Sequence, residues 1–413
     1  MQKGRGRGLM RLAGMVVIAL GAFGGARPAL AQDQSPLNLP REGLDYSGIS
    51  VGGVTVLPQV TFRTEYDNNL FATSTNPVDD ARFELTPALA LRKQAGALNL
   101  RMDNYANFRW HAHNPREDST AFGSALRAST GGNSANTFAM RLSFDRAIES
   151  RGDPEQTAGP TDPPRRIDLY GGDLSYRHRF GNFSAELSGA ADWANYNDPL
   201  DQDRDMATYR GALRLAYRTP SSLEGFVEGY VNRRDFRLAT DFSGINRDTT
   251  TIGANVGVQR DIGQRLRGRI GMGIFRANPD SPALQSFSGL GVSGDLTWTP
   301  RVRTQVNLRL SRGDVATVRA GATGRIDTSV RIGVDQEIRH NLLGRLSVGY
   351  SDRQYRGSVR GHLKTFDARV ELEYLMGRKV SLFSAGTFTN REARIAFDRF
   401  EKTVASLGIR YKF

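Results

Sequence analysis

Leu407-Gly408-Ile409-Arg410-Tyr411-Lys412-Phe413 alternates apolar and polar residues and stops on an aromatic. Leu407, Ile409, Tyr411 and Phe413 share one parity, and Gly408, Arg410 and Lys412 share the other. Successive side chains of a strand point to opposite faces. The stretch therefore reads as a strand with one face in hydrocarbon and the other in water.

Working outward, a strand ending on an aromatic resembles the carboxyl-terminal insertion signal of bacterial outer-membrane barrels. Outer-membrane lipid and the barrel-assembly machinery are then the expected partners. The amino terminus points to the same compartment. Lys3, Arg5, Arg7 and Arg11 form a basic region, Leu12 to about Ala22 an apolar one, and Ala29-Leu30-Ala31 a small-x-small cleavage site before Gln32. This predicts a secretory signal peptide over residues 1–31. A transmembrane anchor needs about 20 apolar residues, and this core is much shorter.

Composition narrows the class. The 413 residues include no cysteine, which excludes disulfides, cysteine catalysis and thiolate metal sites. Mean hydropathy is −0.45 and 24% of residues are charged. No later segment is apolar enough for a helical span, so a membrane protein of this composition must be a barrel. The 45 glycines fit turns and closely packed strands. Net charge is +13 with a pI near 10.2, but the arginines are spread along the chain. Without a clustered basic face, nucleic acid is not an expected partner.

Residues 32–53 hold Pro36 and Pro40 without clear periodicity and read as a short periplasmic leader. From Val54 to Phe413 the chain repeats an alternating run, a tight turn, a second run and a longer polar loop. Hairpin chemistry marks the turns Gly131-Gly132-Asn133, Phe180-Gly181-Asn182, Thr219-Pro220-Ser221, Ile262-Gly263-Gln264, Thr299-Pro300-Arg301 and Met376-Gly377-Arg378. The longer connections include 76–80, 114–119, 150–164, 197–205, 278–285 and 312–324. Strands are expected over 54–66, 81–93, 97–110, 119–130, 135–148, 166–179, 183–196, 206–219 and 222–235. They continue over 248–261, 264–276, 287–299, 301–311, 325–339, 342–355, 362–375, 378–390 and 400–413. The fold class is thus all-β: a transmembrane, antiparallel, up-and-down barrel of about 18 strands, with short periplasmic turns and long extracellular loops.

Parity assigns the faces. Tyr209, Leu213, Leu215 and Tyr217 oppose Arg210, Arg214 and Arg218; Val302, Val306, Leu308 and Leu310 oppose Arg301, Arg303, Asn307 and Arg309. Arginine on the lipid face costs about 2–4 kcal/mol near the midplane, so the polar parity must face inward. Tyr66, Trp110, Tyr196, Trp298, Tyr374 and Tyr411, near strand ends, suit an interfacial girdle.

The expected channel lining follows from the same parity. Its bases are Arg63, Arg101, Arg109, Arg141, Arg210, Arg214, Arg218, Arg269, Arg303, Arg309, Arg331 and Arg369. Its acids are Glu186, Asp192, Glu228, Asp295, Glu371 and Glu373. These charges read as pairs that hold a hydrated wall together, or as a polar track that draws anions inward. Tyr105, Phe226, Tyr230, Phe275 and Phe383 share the inner parity and are expected to fill gaps against the wall. No catalytic cluster assembles from spacing, and neither a metal site nor a cofactor is expected. His111-Ala112-His113 reads as a solvated strand edge.

Ile49-Ser50-Val51-Gly52-Gly53-Val54-Thr55-Val56-Leu57-Pro58, followed by Glu65-Tyr66-Asp67-Asn68-Asn69-Leu70-Phe71-Ala72, resembles the opening of the putative β-barrel porin 2 family. Asp79-Asp80 and Thr86-Pro87-Ala88-Leu89 continue the match. The resemblance implies an outer-membrane barrel, often associated with capsular polysaccharide or exopolysaccharide export systems; a non-enzymatic channel of that kind would act with periplasmic export components. The expected function is accordingly a polysaccharide conduit; the alternative is a general diffusion porin for small hydrophilic solutes. An outer-membrane hydrolase or an adhesin is a third class. A constriction loop folded inward would favour the porin, and residues 150–164 are the main candidate.

Overall fold

The computed structural model describes residues 35–131, 134–156, 158–260, 265–319, 321–357 and 361–413. The expected signal peptide, with Ala29, Ala31 and Gln32, lies outside the described residues. So do parts of the turns at Gly132-Asn133 and Ile262-Gly263-Gln264.

A short strand, β1 (Ile49–Val51), precedes the long ones. These are β2 (Val54–Asp67), β3 (Asp80–Ala95), β4 (Leu98–His111), β5 (Ser119–Thr130), β6 (Asn136–Ile148) and β7 (Arg166–Phe180). Next come β8 (Phe183–Tyr196), β9 (Met206–Arg218), β10 (Glu224–Phe236), β11 (Thr249–Arg260), β12 (Leu266–Pro279) and β13 (Phe287–Arg301). The last are β14 (Thr304–Val315), β15 (Ala322–Arg339), β16 (Leu342–Gly357), β17 (His362–Leu375), β18 (Val380–Ala393) and β19 (Phe400–Lys412). Each expected strand has its counterpart, including the weakly alternating 119–130.

Every strand from β2 to β19 pairs antiparallel with the next. β19 then pairs with β2, from Val404 opposite Asp67 to Lys412 opposite Gln59, and the ring closes. Closure satisfies the backbone of both terminal strands and leaves no edge in lipid. Beyond Phe413, whose N–H donates to the Pro58 carbonyl at 3.2 Å, β1 takes over the same edge of β2. The Gly52-Gly53 turn allows this reversal, because both residues have positive φ (55° and 77°). With strands about 4.8 Å apart and tilted roughly 40°, an 18-strand ring is about 35 Å across.

Side chains sort by parity. In β10, Val227 and Val231 are exposed at 53% and 46%, whereas Phe226 and Tyr230, on the inner parity, are exposed at 6% and 8%. Leu407, Ile409, Tyr411 and Phe413 are all exposed on the outside. Of the expected girdle, Tyr66, Trp110, Trp298, Tyr374 and Tyr411 are exposed too. Tyr196 is not: it has the inward parity of Glu186, and the Arg204 guanidinium lies 4.0 Å from its ring centre.

The turn expected at Thr299-Pro300-Arg301 is displaced. β13 runs on to Arg301, its pairing with β14 shifts between Trp298 and Arg301, and the reversal falls at Val302-Arg303. Proline has no N–H for the ladder, so Pro300 interrupts the pairing instead of forming the turn. Val302 is consequently a turn residue, not a lipid-facing strand residue.

The barrel interior as candidate functional site

The inner face is held by ion pairs within strands and between strands one or two places apart. Arg63 meets Glu65 at 3.3 Å and Glu84 at 3.6 Å; Arg109 meets Glu84 at 3.3 Å. Arg101 meets Asp103, Arg141 meets Asp173, and Arg331 meets Asp367 at 2.7 Å. Arg214 bonds Glu228, Arg210 lies 3.7 Å from the same carboxylate, and Arg218 is 3.5 Å from Glu224. Glu186 faces Arg177 at 3.7 Å, and Arg309 faces Asp295 at the same distance. Arg369 bonds Glu371, and Arg410 bonds Glu373 at 2.6 Å. Arg269 stands in register opposite Asp295, while Asp192 stands opposite Gly171.

Arg303 departs from this pattern. It lies in the Val302-Arg303 turn, where its side chain is 65% exposed and 3.5 Å from Glu337. The Pro300 interruption moves it from the wall to the rim.

The five inward aromatics all lie against the wall. Tyr105 is paired with Gly123, Phe226 with Gly257, Tyr230 with Gly253, Phe275 with Gly289 and Phe383 with Gly408. In each pair a Cβ on the glycine would run into the aromatic ring. The missing side chain makes room for the ring to lie flat along the neighbouring strand.

Two segments enter the interior from the rims. The 149–165 connection between β6 and β7 folds inward at the long-loop end. Glu155 accepts hydrogen bonds there from Arg325 Nη1 (2.6 Å), Tyr355 Oη (3.0 Å) and Thr317 Oγ1 (3.0 Å). Arg325 is on β15, the ninth strand on from β6 in a ring of eighteen, so the loop crosses to the opposite wall. Arg391 of β18 donates to the Gly152 carbonyl on the way. Arg151 braces the loop: it bonds Glu117 and the carbonyls of Gly159 (3.0 Å) and Asp162 (2.6 Å). Sequence reasoning selected the loop but missed Glu155, Arg325 and Tyr355, which are brought together only by closure.

At the short-turn rim, the leader is docked. Ser35, Pro36, Leu37 and Arg41 are buried. Ser35 donates to Asp335 (2.7 Å), and Arg41 faces Glu337 at 3.5 Å while donating to the Pro36, Leu37 and Leu39 carbonyls. Lack of periodicity in this stretch reflects contacts made with β15, some 300 positions away.

A family model described as putative beta-barrel porin 2 matches residues 42–413. No match is found among curated protein sequences. Similar solved structures include the outer membrane protein OpdK from Pseudomonas aeruginosa, at 12% identity over 87% of this chain and 98% of that one, with a TM-score of 0.42. A BenF-like porin from Pseudomonas fluorescens Pf-5 is 11% identical over 87% and 98%, with a TM-score of 0.45. The siderophore receptor PirA from Pseudomonas aeruginosa is 9% identical over 87% and 80%, with a TM-score of 0.41.

Proposed function

The chain belongs to the putative β-barrel porin 2 family of the bacterial outer membrane, and from that premise we propose that it is a passive diffusion channel for small hydrophilic solutes. One observation carries the proposal: the Glu155 bridge that ties the 149–165 loop to the far wall at Arg325 and Tyr355. A loop fastened across a polar bore sets an upper size on what passes. A polymer needs an unobstructed bore along its length. The crossing loop and the docked leader both argue against the polysaccharide conduit, which has no independent support.

Liposome swelling with sugars of graded size tests this. Swelling with mono- and disaccharides and a sharp cut-off above them is the expected result. Failure of folded barrels to admit any monosaccharide overturns it.

A further inference from the structure

Arg92, Arg101, Arg127 and Arg141 stand directly opposite one another across four consecutive strands, β3 to β6. Like charges in facing positions destabilise a sheet. Most other charged rows of the interior alternate in sign: Asp335, Arg345 and Glu371 form one, and Arg214 with Glu228 another. Arg309 and Arg331 also face each other, but each has its own carboxylate, Asp295 and Asp367. In the four-arginine row, Arg101 and Arg127 share one carboxylate, Asp103, at 2.7 Å from each. Asp173 is 3.3 Å from Arg141, and Asp192 lies within electrostatic reach of Arg141.

The side chains of Arg101, Arg127 and Arg141 are 31%, 47% and 46% exposed, on the inner parity of Asp103 and Tyr105. Their donors thus reach water inside the barrel. A wall built only for rigidity has no need of four adjacent cations, whose repulsion a single Asp at one position would relieve.

We propose that this row is an anion-binding strip that selects small carboxylate- or phosphate-bearing solutes; the inference rests on the reading of the chain as a diffusion channel. Guanidinium forks match the two-oxygen geometry of carboxylate and phosphate. A row of them in a low-dielectric wall raises the local concentration of anions. An entering anion bridges the exposed guanidinium groups of neighbouring arginines.

Reversal potentials in planar bilayers under a potassium chloride gradient test the strip. The wild-type channel passes chloride over potassium several-fold. The triple variant Arg101→Gln, Arg127→Gln, Arg141→Gln loses that preference, whereas replacing the same three residues by Lys keeps it. Inorganic phosphate lowers the chloride current of the wild type and leaves that of the glutamine variant unchanged. Heat-modifiable migration on gels establishes that each variant is folded. A conducting wild type without chloride preference, or a glutamine variant that retains it, overturns the strip and leaves the porin reading standing. Folded barrels that carry no current overturn both.

Discussion

The Glu155 carboxylate stands 2.6 Å from the Arg325 guanidinium, 170 positions away in sequence and on the opposite wall of the barrel. Tyr355, Thr317 and the Val318 N–H donate to it as well. This one side chain fastens the loop to the far wall.

Glu155→Gln removes the charge from that contact while keeping its shape. Hydrogen bonds to charged groups are worth about 1.5–3 kcal/mol, so the loop should leave the bore in a much larger fraction of molecules. Single-channel conductance should rise and the sugar cut-off shift to larger sizes, with the melting temperature of the barrel unchanged. Arg151→Ala, which frees the loop's own carbonyls, should do the same. An unaltered cut-off in both variants would show that the loop does not limit passage.

The docked leader offers a second test of passage. Removing residues 35–41 deletes the Ser35–Asp335 and Arg41–Glu337 contacts without touching any barrel strand. Conductance should increase, and the fall in pore resistance should add to that of Glu155→Gln because the two segments lie in series at opposite rims. Conductance equal to that of the intact chain would mean that the leader leaves the passage clear.

Gly408 tests the aromatic packing at the closing seam. A Cβ there would overlap the Phe383 ring and lie 2.6 Å from the Phe62 carbonyl oxygen. Gly408→Ala should destabilise the folded barrel by about 1–3 kcal/mol, the usual range for overpacking, as measured by urea unfolding from lipid vesicles. Pairing it with Phe383→Leu should recover part of the loss, and a purely additive double variant would contradict the contact.

The 237–248 connection should respond to acid. Burial disfavours the Asp241 charge, but the Ile245 and Ser243 N–H groups, at 2.9 and 2.8 Å, and Arg247, at 2.7 Å, hold its carboxyl below the usual range. A carboxyl that titrates lower folded than unfolded contributes fully above its unfolded value, near ~4. That contribution disappears as pH falls through the folded value. Arg247 also donates to the Ala322 carbonyl at 2.7 Å, so the loop should detach from β15 on acidification. A spin label at Phe242→Cys, unique in a chain without cysteine, should gain mobility only below about pH 4. In Asp241→Asn it should be mobile at neutral pH, and a label equally immobile in both proteins at every pH would refute the role.

The sequence by itself determined the eighteen strands, their faces and the inward parity of the lining arginines other than Arg303. Alternation is a local property with a period of two, and the cost of charge in lipid allows one orientation. It also reached the five inward aromatics, though not their glycine partners, since pairing depends on register. Arg303 was misread because Pro300 moves a turn by two residues, and Tyr196 because nearness to a strand end does not reveal a face. Tertiary structure alone decided which charges meet, that four arginines align, and that the loop and the leader enter the bore. The arginine row follows from the register of consecutive hairpins, whereas the contacts of the loop and the leader join residues brought together only when the ring closes; no local pattern encodes either condition.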